Sequence, residues 1–206
     1  MVRKTKEEAE KTRKDIIDAA RRTFHACGVT RSSLDKIAQA AGVTRGAVYW
    51  HFQNKAELFF AMREDVFAPL IARTDALLFS ADFADPLDAI EASLSEFFRV
   101  LDDCELVREV FEIMIARCEY VDEFARVQEE VSRPGRYFLA KIEDVYRLAE
   151  TKGTLRAGVD PQVAARDTWA FTSGLLNLVI NRRLCDSDLQ IHVPTMIRDH
   201  MLLRRR

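Results

Sequence analysis

Apolar residues recur at steps of three and four through most of the chain, and the steps break at a few glycines, prolines and capping residues. From about Glu8 to Cys27, Ile16, Ala20, Thr23 and Phe24 fall on one helical face, and Gly28 stops the run. Ser33 to Phe52 reads as a helix, a tight turn and a second short helix. Ser32 and Ser33 can cap the first of these, with Asp35 three residues after Ser32 in a capping-box spacing. Leu34, Ile37, Ala38 and Ala41 then share its inward face. Gly42 supplies the positive φ that a sharp turn needs, Val43 plugs the turn, and Thr44 caps the next helix. That helix, roughly Arg45 to His51, turns Val48 and Phe52 inward. It leaves Arg45, Gly46, Ala47, Tyr49, Trp50 and His51 available to a partner, with Trp50 expected chiefly to pack the small domain together.

Beyond Phe52 the same logic repeats. Asn54 and Glu57 form a capping-box pair, placing Lys55 at a helix N-terminus where a phosphate is welcome. The long helix that follows runs through Leu58, Met62, Val66 and Leu70, with Pro69 expected to bend it. Asp85-Pro86 opens a helix with the stripe Leu87, Ile90, Leu94, Phe97, Phe98 and Leu101. Leu106, Val110, Phe111, Met114, Ile115 and Cys118 mark another. Phe124, Val127 and Val131 lead to Pro134-Gly135, which should kink or split a helix before Phe138, Ile142, Val145 and Leu148. Asp160-Pro161 opens a helix that is apolar nearly all round from Trp169 to Ile180. Such a helix needs cover on two sides. The last helix, expected from about Pro194, offers Met196, Ile197, His200 and Met201. A C2 homodimer through these two helices, forming a four-helix bundle, meets the need.

Composition narrows the class. Seven glycines and five prolines in 206 residues, with no sustained alternating run, favour an all-α protein. The net charge of −2 hides an asymmetry: residues 1–60 carry +5 and the remainder −7. A basic head on an acidic body suits a polyanion held at one end, and double-stranded DNA is the expected partner. Residues 1–8 are basic and polar, an arm that could touch phosphate or simply be disordered. Cys27, Cys104, Cys118 and Cys185 show no C-x-x-C pair and no histidine at metal spacing, so reduced thiols and no metal are expected. No secretory leader and no 18-residue apolar run is seen, which points to a cytoplasmic chain away from membranes. No Ser/His/Asp set or glycine-rich phosphate loop suggests an enzyme or a cofactor.

The residues Ile37-Ala-Gln-Ala-Ala-Gly-Val-Thr-Arg-Gly-Ala-Val-Tyr-Trp-His-Phe-Gln-Asn-Lys-Ala-Glu-Leu58 resemble the DNA-binding domain of the TetR family of bacterial repressors. Arg3-Lys-Thr-Lys-Glu-Glu-Ala9, Asp85-Pro-Leu87 and Cys118-Glu-Tyr-Val121 are similar to its AcrR-type branch, which represses multidrug-efflux operons. The resemblance implies three helices in a helix-turn-helix domain, residues 10–70, and six in a ligand-binding and dimerisation domain, residues 71–206. It implies Thr44, Tyr49, His51 and Lys55 on phosphates, Arg45 and Ala47 at base edges beside Gly46, and Ser32 and Ser33 on phosphates. It also implies a small-molecule inducer that releases a palindromic operator. Phe67 departs from relatives that carry a pocket carboxylate there, which argues against cationic drugs.

Where the body's stripes converge, a pocket is expected from Phe67, Ile90, Leu94, Phe97, Phe111, Ile115, Phe138, Ile142, Trp169 and Thr172, with Asn177 as a polar contact. Such a wall suits bulky, flat, apolar compounds, because buried area supplies most of the binding. The alternative is a regulator switched by oxidation of Cys27 or Cys118 rather than by a ligand.

Overall fold

The computed structural model describes residues 5–121, 124–181 and 189–206. The basic arm's first four residues and Cys185, both subjects of expectations above, lie outside them. Among the described residues the chain is all-α, with nine helices. These are α1 (Lys6–Cys27), α2 (Leu34–Ala40), α3 (Arg45–His51), α4 (Lys55–Leu78), α5 (Pro86–Asp103), α6 (Glu105–Ala116), α7 (Ala125–Lys152), α8 (Pro161–Ile180) and α9 (Leu189–Leu202). They group into two compact units, each discontinuous in sequence. The first holds the described residues of Met1–Phe67 and Leu106–Gln128; the second holds those of Ala68–Glu105 and Glu129–Arg206.

In the first unit, helix starts follow their caps. Thr5 and Glu8 form a reciprocal capping box at α1. Ser33, not Ser32, caps α2 by accepting from the Lys36 N–H. Thr44 caps α3 through the Ala47 N–H, and Gly42 takes the left-handed φ of +66° the turn requires. At α4 the box is offset. Asn54 accepts from the Glu57 N–H at 2.9 Å, but the Glu57 carboxylate accepts from Gln53 rather than from its own cap. Ile16, Ala20, Phe24, Ile37, Val48, Phe52, Leu58 and Phe59 are all but fully buried and form this unit's core. Helix α6 belongs here too: Glu109 pairs with Arg21 of α1, and Glu112 meets His25 Nε2 at 2.6 Å. The Val29 N–H donates to the Arg117 carbonyl at 2.9 Å, joining the ends of α1 and α6.

The second unit corrects three expectations. Pro134-Gly135 does not split α7, which continues through both. Gly135 is instead a point of close approach: a Cβ there would meet the Trp169 ring at 2.6 Å. Helix α9 begins at Leu189, with Pro194 inside it, rather than at Pro194. Its Ile197, His200 and Met201 are buried within the unit, so they are not the surface left for a second copy. Tyr146, which none of the stripes includes, is fully buried and heads a chain of polar contacts. Its hydroxyl lies 2.7 Å from Thr168 Oγ1, which lies 3.1 Å from His200 Nε2. At the C-terminus, the Arg156 N–H donates to the Arg204 carbonyl and the Arg206 N–H to that of Thr154. Arg205 reaches Asp85 and Asp88 at 2.7 Å and Glu91 at 2.9 Å, around the start of α5. The terminal arginines are therefore partly absorbed in holding the unit together.

Candidate DNA-reading face and ligand wall

Helix α3 is short, and its inward positions are taken by Val48, fully buried, and Phe52. The rest of it turns outward. Thr44, Arg45, Gly46 and Tyr49 are exposed, and Ala47 and His51 are partly so. Trp50 is a correction: it is 73% exposed and packs nothing in the head beyond an edge-on contact with His51. Two residues on from Val48 is about 200° around a helix, so Trp50 must face away from the core. It stands on the outward face, where the helical period places it, and only the packing role is overturned.

Arg45 is already organised. Its Nε is 3.1 Å from an Asp35 carboxylate oxygen, and its guanidinium lies 5.3 Å from the Tyr49 ring centre. The Tyr49 hydroxyl, then the Asp35 carboxylate, hold its pKa above the ordinary arginine value. Gly46 offers a smooth spot, since a Cβ there would meet only the Thr44 hydroxyl, at 3.9 Å. Ser33 is exposed beside this face. Ser32 is buried, and both its hydroxyl and its N–H donate to the Val29 carbonyl. Those donors are therefore turned from solvent. Lys55 begins α4, with its ammonium 5.3 Å from the Phe124 ring centre. Phe124 stands edge-on to Phe59 at 5.7 Å, so the lysine's base rests on packed aromatics.

The expected ligand residues divide between the units. In the first, Phe67 and Phe111 are buried and stacked at 4.9 Å, with the Arg63 guanidinium 5.5 Å from the Phe67 ring. Ile115 lines a different place, a cleft of about 530 Å³ shared with Cys27, Arg31, Arg117 and Cys118. Burial pushes the Cys118 thiol up to about 11, which keeps it protonated near neutrality and unreactive as a nucleophile.

In the second unit, Ile90 and Ile142 are fully buried and Leu94 nearly so; in this conformation they are packing and present no surface to a ligand. Phe97, Phe138 and Trp169 are half-buried, and the last two rings sit 6.2 Å apart. Thr172 is buried, with its hydroxyl donating to the Thr168 carbonyl. Asn177 is exposed and its amide donates to the Ser173 carbonyl, so it is occupied on a solvent face. A cavity of about 140 Å³ among α5, α8 and α9 is lined by Phe98, Arg99, Val179 and Val193, among others, and by none of the expected ligand residues. Among the described residues, no group of three His, Cys, Asp or Glu could hold a metal. No helix among them is long and apolar enough to cross a membrane.

The family described as bacterial regulatory proteins, tetR family, matches residues 16–62, from the middle of α1 into α4. The chain is 36% identical over 178 residues to the HTH-type transcriptional regulator TtgR of Pseudomonas putida, covering 85% of this chain and 83% of that one. NalD, the secondary repressor of the MexAB-OprM multidrug efflux pump in Pseudomonas aeruginosa, superposes with a TM-score of 0.84 at 35% identity, covering 98% of this chain and 99% of that one. SmeT in complex with triclosan superposes with a TM-score of 0.81 at 32% identity, over 95% of this chain and 92% of that one; SmeT represses the Stenotrophomonas maltophilia efflux pump SmeDEF. A capped helix-turn-helix with an outward arginine–tyrosine face, in a chain this similar over this much of its length, has one reading: the chain belongs to the TetR family of bacterial transcriptional regulators.

Proposed function

We propose that this chain is a homodimeric repressor of a multidrug-efflux operon, released from a palindromic operator by a small apolar or aromatic compound. The observation that carries it is the outward face of α3, where Arg45 and Tyr49 stand together beside the Thr44 cap. On this reading Thr44, Tyr49, His51, Ser33 and Lys55 hold phosphates, and Arg45, Gly46 and Ala47 meet base edges. Trp50 joins them at the groove wall. Phosphate contacts set the register, and base contacts specify the site.

Two copies of α3 enter successive major grooves only when held about 34–36 Å apart. The surface for a second copy is apolar on α8 and α9, where Val163, Ile191 and Leu202 are all more than half exposed. An inducer acts by binding one head spacing better than the other. Half-buried Phe138 and Trp169, with ring centres 6.2 Å apart, offer it an aromatic wall, and Phe97 is half-buried on α5. Its neutral, flat character is supported by Phe67, whose ring already has Arg63 beside it in place of a bound cation. The relatives named for efflux-pump repression, one of them holding triclosan, support the operon and the ligand class.

The test is selection of duplexes from a randomised library by the purified protein, followed by titration at fixed salt. We expect an enriched palindrome bound by a dimer. Lys55→Ala should weaken every duplex alike and lower the salt slope by about one. Arg45→Ala should relax preference at one base pair of each half-site. A stable monomer in sedimentation, or no enrichment over random duplex, overturns the reading.

A further inference from the structure

An acid stands against the arginine of a surface read as the partner of a polyanion. Asp35, in the first turn of α2, is 58% exposed on its side chain, so its charge is unburied and repels phosphate. What it touches gives the reason for it. Its Oδ1 is 3.1 Å from Arg45 Nε, while the Arg45 guanidinium lies over the Tyr49 ring with Nη2 3.4 Å from the hydroxyl.

A guanidinium is a flat fork of five donors. Guanine offers O6 and N7 in the major groove, spaced for two parallel N–H groups. An unsupported arginine on a long, rotamer-rich stem must be ordered at the moment of binding. Here the plane is fixed beforehand from two sides, by the carboxylate at Nε and by the ring beneath. Neither contact engages Nη1, and the Nη2 contact is long. The terminal edge, Nη1 with Nη2, is therefore the pair of donors set to meet an incoming acceptor pair.

We propose that Asp35 is a positioning residue for base readout: by holding Arg45 Nε it aims the guanidinium's terminal edge at one guanine in each half-site. This rests on the reading of α3 as the groove-entering helix. Asp35 then has two opposed effects. It weakens binding to any duplex through repulsion, and it sharpens discrimination at a single base pair through preorganisation.

The test uses three duplexes at fixed salt: one the wild-type protein enriches from a randomised library, the same duplex with the Arg45-dependent base pair replaced, and an unrelated sequence. Asp35→Ala should bind the unrelated duplex more tightly, yet its preference for the selected pair over the replaced one should fall about fivefold or more. Asp35→Asn should also gain on unrelated DNA but keep most of the preference, because an amide oxygen still accepts from Nε. With Arg45→Ala in place, Asp35→Ala should no longer change the preference. Both side chains are exposed, so little packing is lost, and an unchanged helical signal by circular dichroism checks that each variant folds.

Equal gains on all three duplexes with the preference intact overturn the proposal, since Asp35 would then only repel. An Asp35→Ala effect that persists undiminished without Arg45 overturns it too. If Arg45→Ala leaves every base pair's preference untouched, the base-reading role of Arg45 fails, and this proposal with it. That result differs from the first, in which Arg45 reads a base and Asp35 only repels.

Discussion

At position 135 the space for a single methyl group decides how α7 meets α8. A local rule treats Pro134-Gly135 as a break, because proline removes one helix hydrogen bond and glycine is a poor helix former. The helix nonetheless continues, and the Trp169 ring lies where a side chain at 135 would be. Gly135→Ala should therefore destabilise. Overpacking against a rigid indole costs about 1–3 kcal/mol, and alanine's better helix propensity offsets at most about 1 kcal/mol of it. The expected result is a lower urea midpoint with an unchanged slope, partly restored by Trp169→Phe in the double variant. Trp50 makes the complementary point. Its exposure is open to the helical period, and the expectation that it packs comes from treating an aromatic as core by type. Local patterns place a residue on a face; only the neighbouring element says what the face meets.

Among the elements, helix starts are the most legible feature, because capping is local chemistry. Thr44, Asn54, Asp85 and Asp160 each accept a backbone N–H at the start the sequence marks. The inward face of α9 is not legible in the same way. By sequence His200 is one of the residues that the last helix offers to a four-helix bundle; in the fold it is buried, stacked on Phe171 at 4.1 Å and joined to Thr168, which also meets Tyr146. Burial, then the nearby Arg204 charge, lower its pKa to about 4. The imidazole is thus neutral in the folded chain, while an unfolded one takes a proton near pH 6.5. The unfolded state binds more protons between those values, so this contribution to stability is complete above about pH 6.5 and is lost as the pH falls towards 4. His200→Asn lacks that titration. The stability gap between wild type and His200→Asn, from urea unfolding, should narrow between pH 7 and pH 5; a gap that widens would contradict the buried neutral assignment.

For the whole molecule, the charge split between residues 1–60 and the rest points to a polyanion at one end. The units refine that division. The α6 acids Glu109 and Glu112, counted with the acidic remainder, lie in the first unit and pair with Arg21 and His25 of α1. Glu109 balances the Arg21 charge on the side of α1 that meets α6. The proposed function adds a constraint that no single element carries, because binding of inducer and operator must be linked reciprocally. A neutral aromatic compound that the protein binds should, at saturation, raise the dissociation constant for the selected duplex about tenfold or more. Calorimetric titrations of duplex with and without the compound measure the coupling, and a bound compound that leaves duplex affinity unchanged would contradict release by that class of ligand.

The helical class, most helix starts, the inward residues of α2 and α3, and the family are legible along the chain, because periodicity, caps and a dense motif are written in neighbouring residues. Only the assembled fold shows that Ser32 turns inward, that Gly135 makes room for Trp169, and that Ile90, Leu94 and Ile142 are buried. It alone brought Asp35 to Arg45 and α6 to α1. The physical reason is one of range. A cap or a helical face involves residues within a turn of each other, whereas a close approach or an ion pair between elements depends on how the chain returns upon itself.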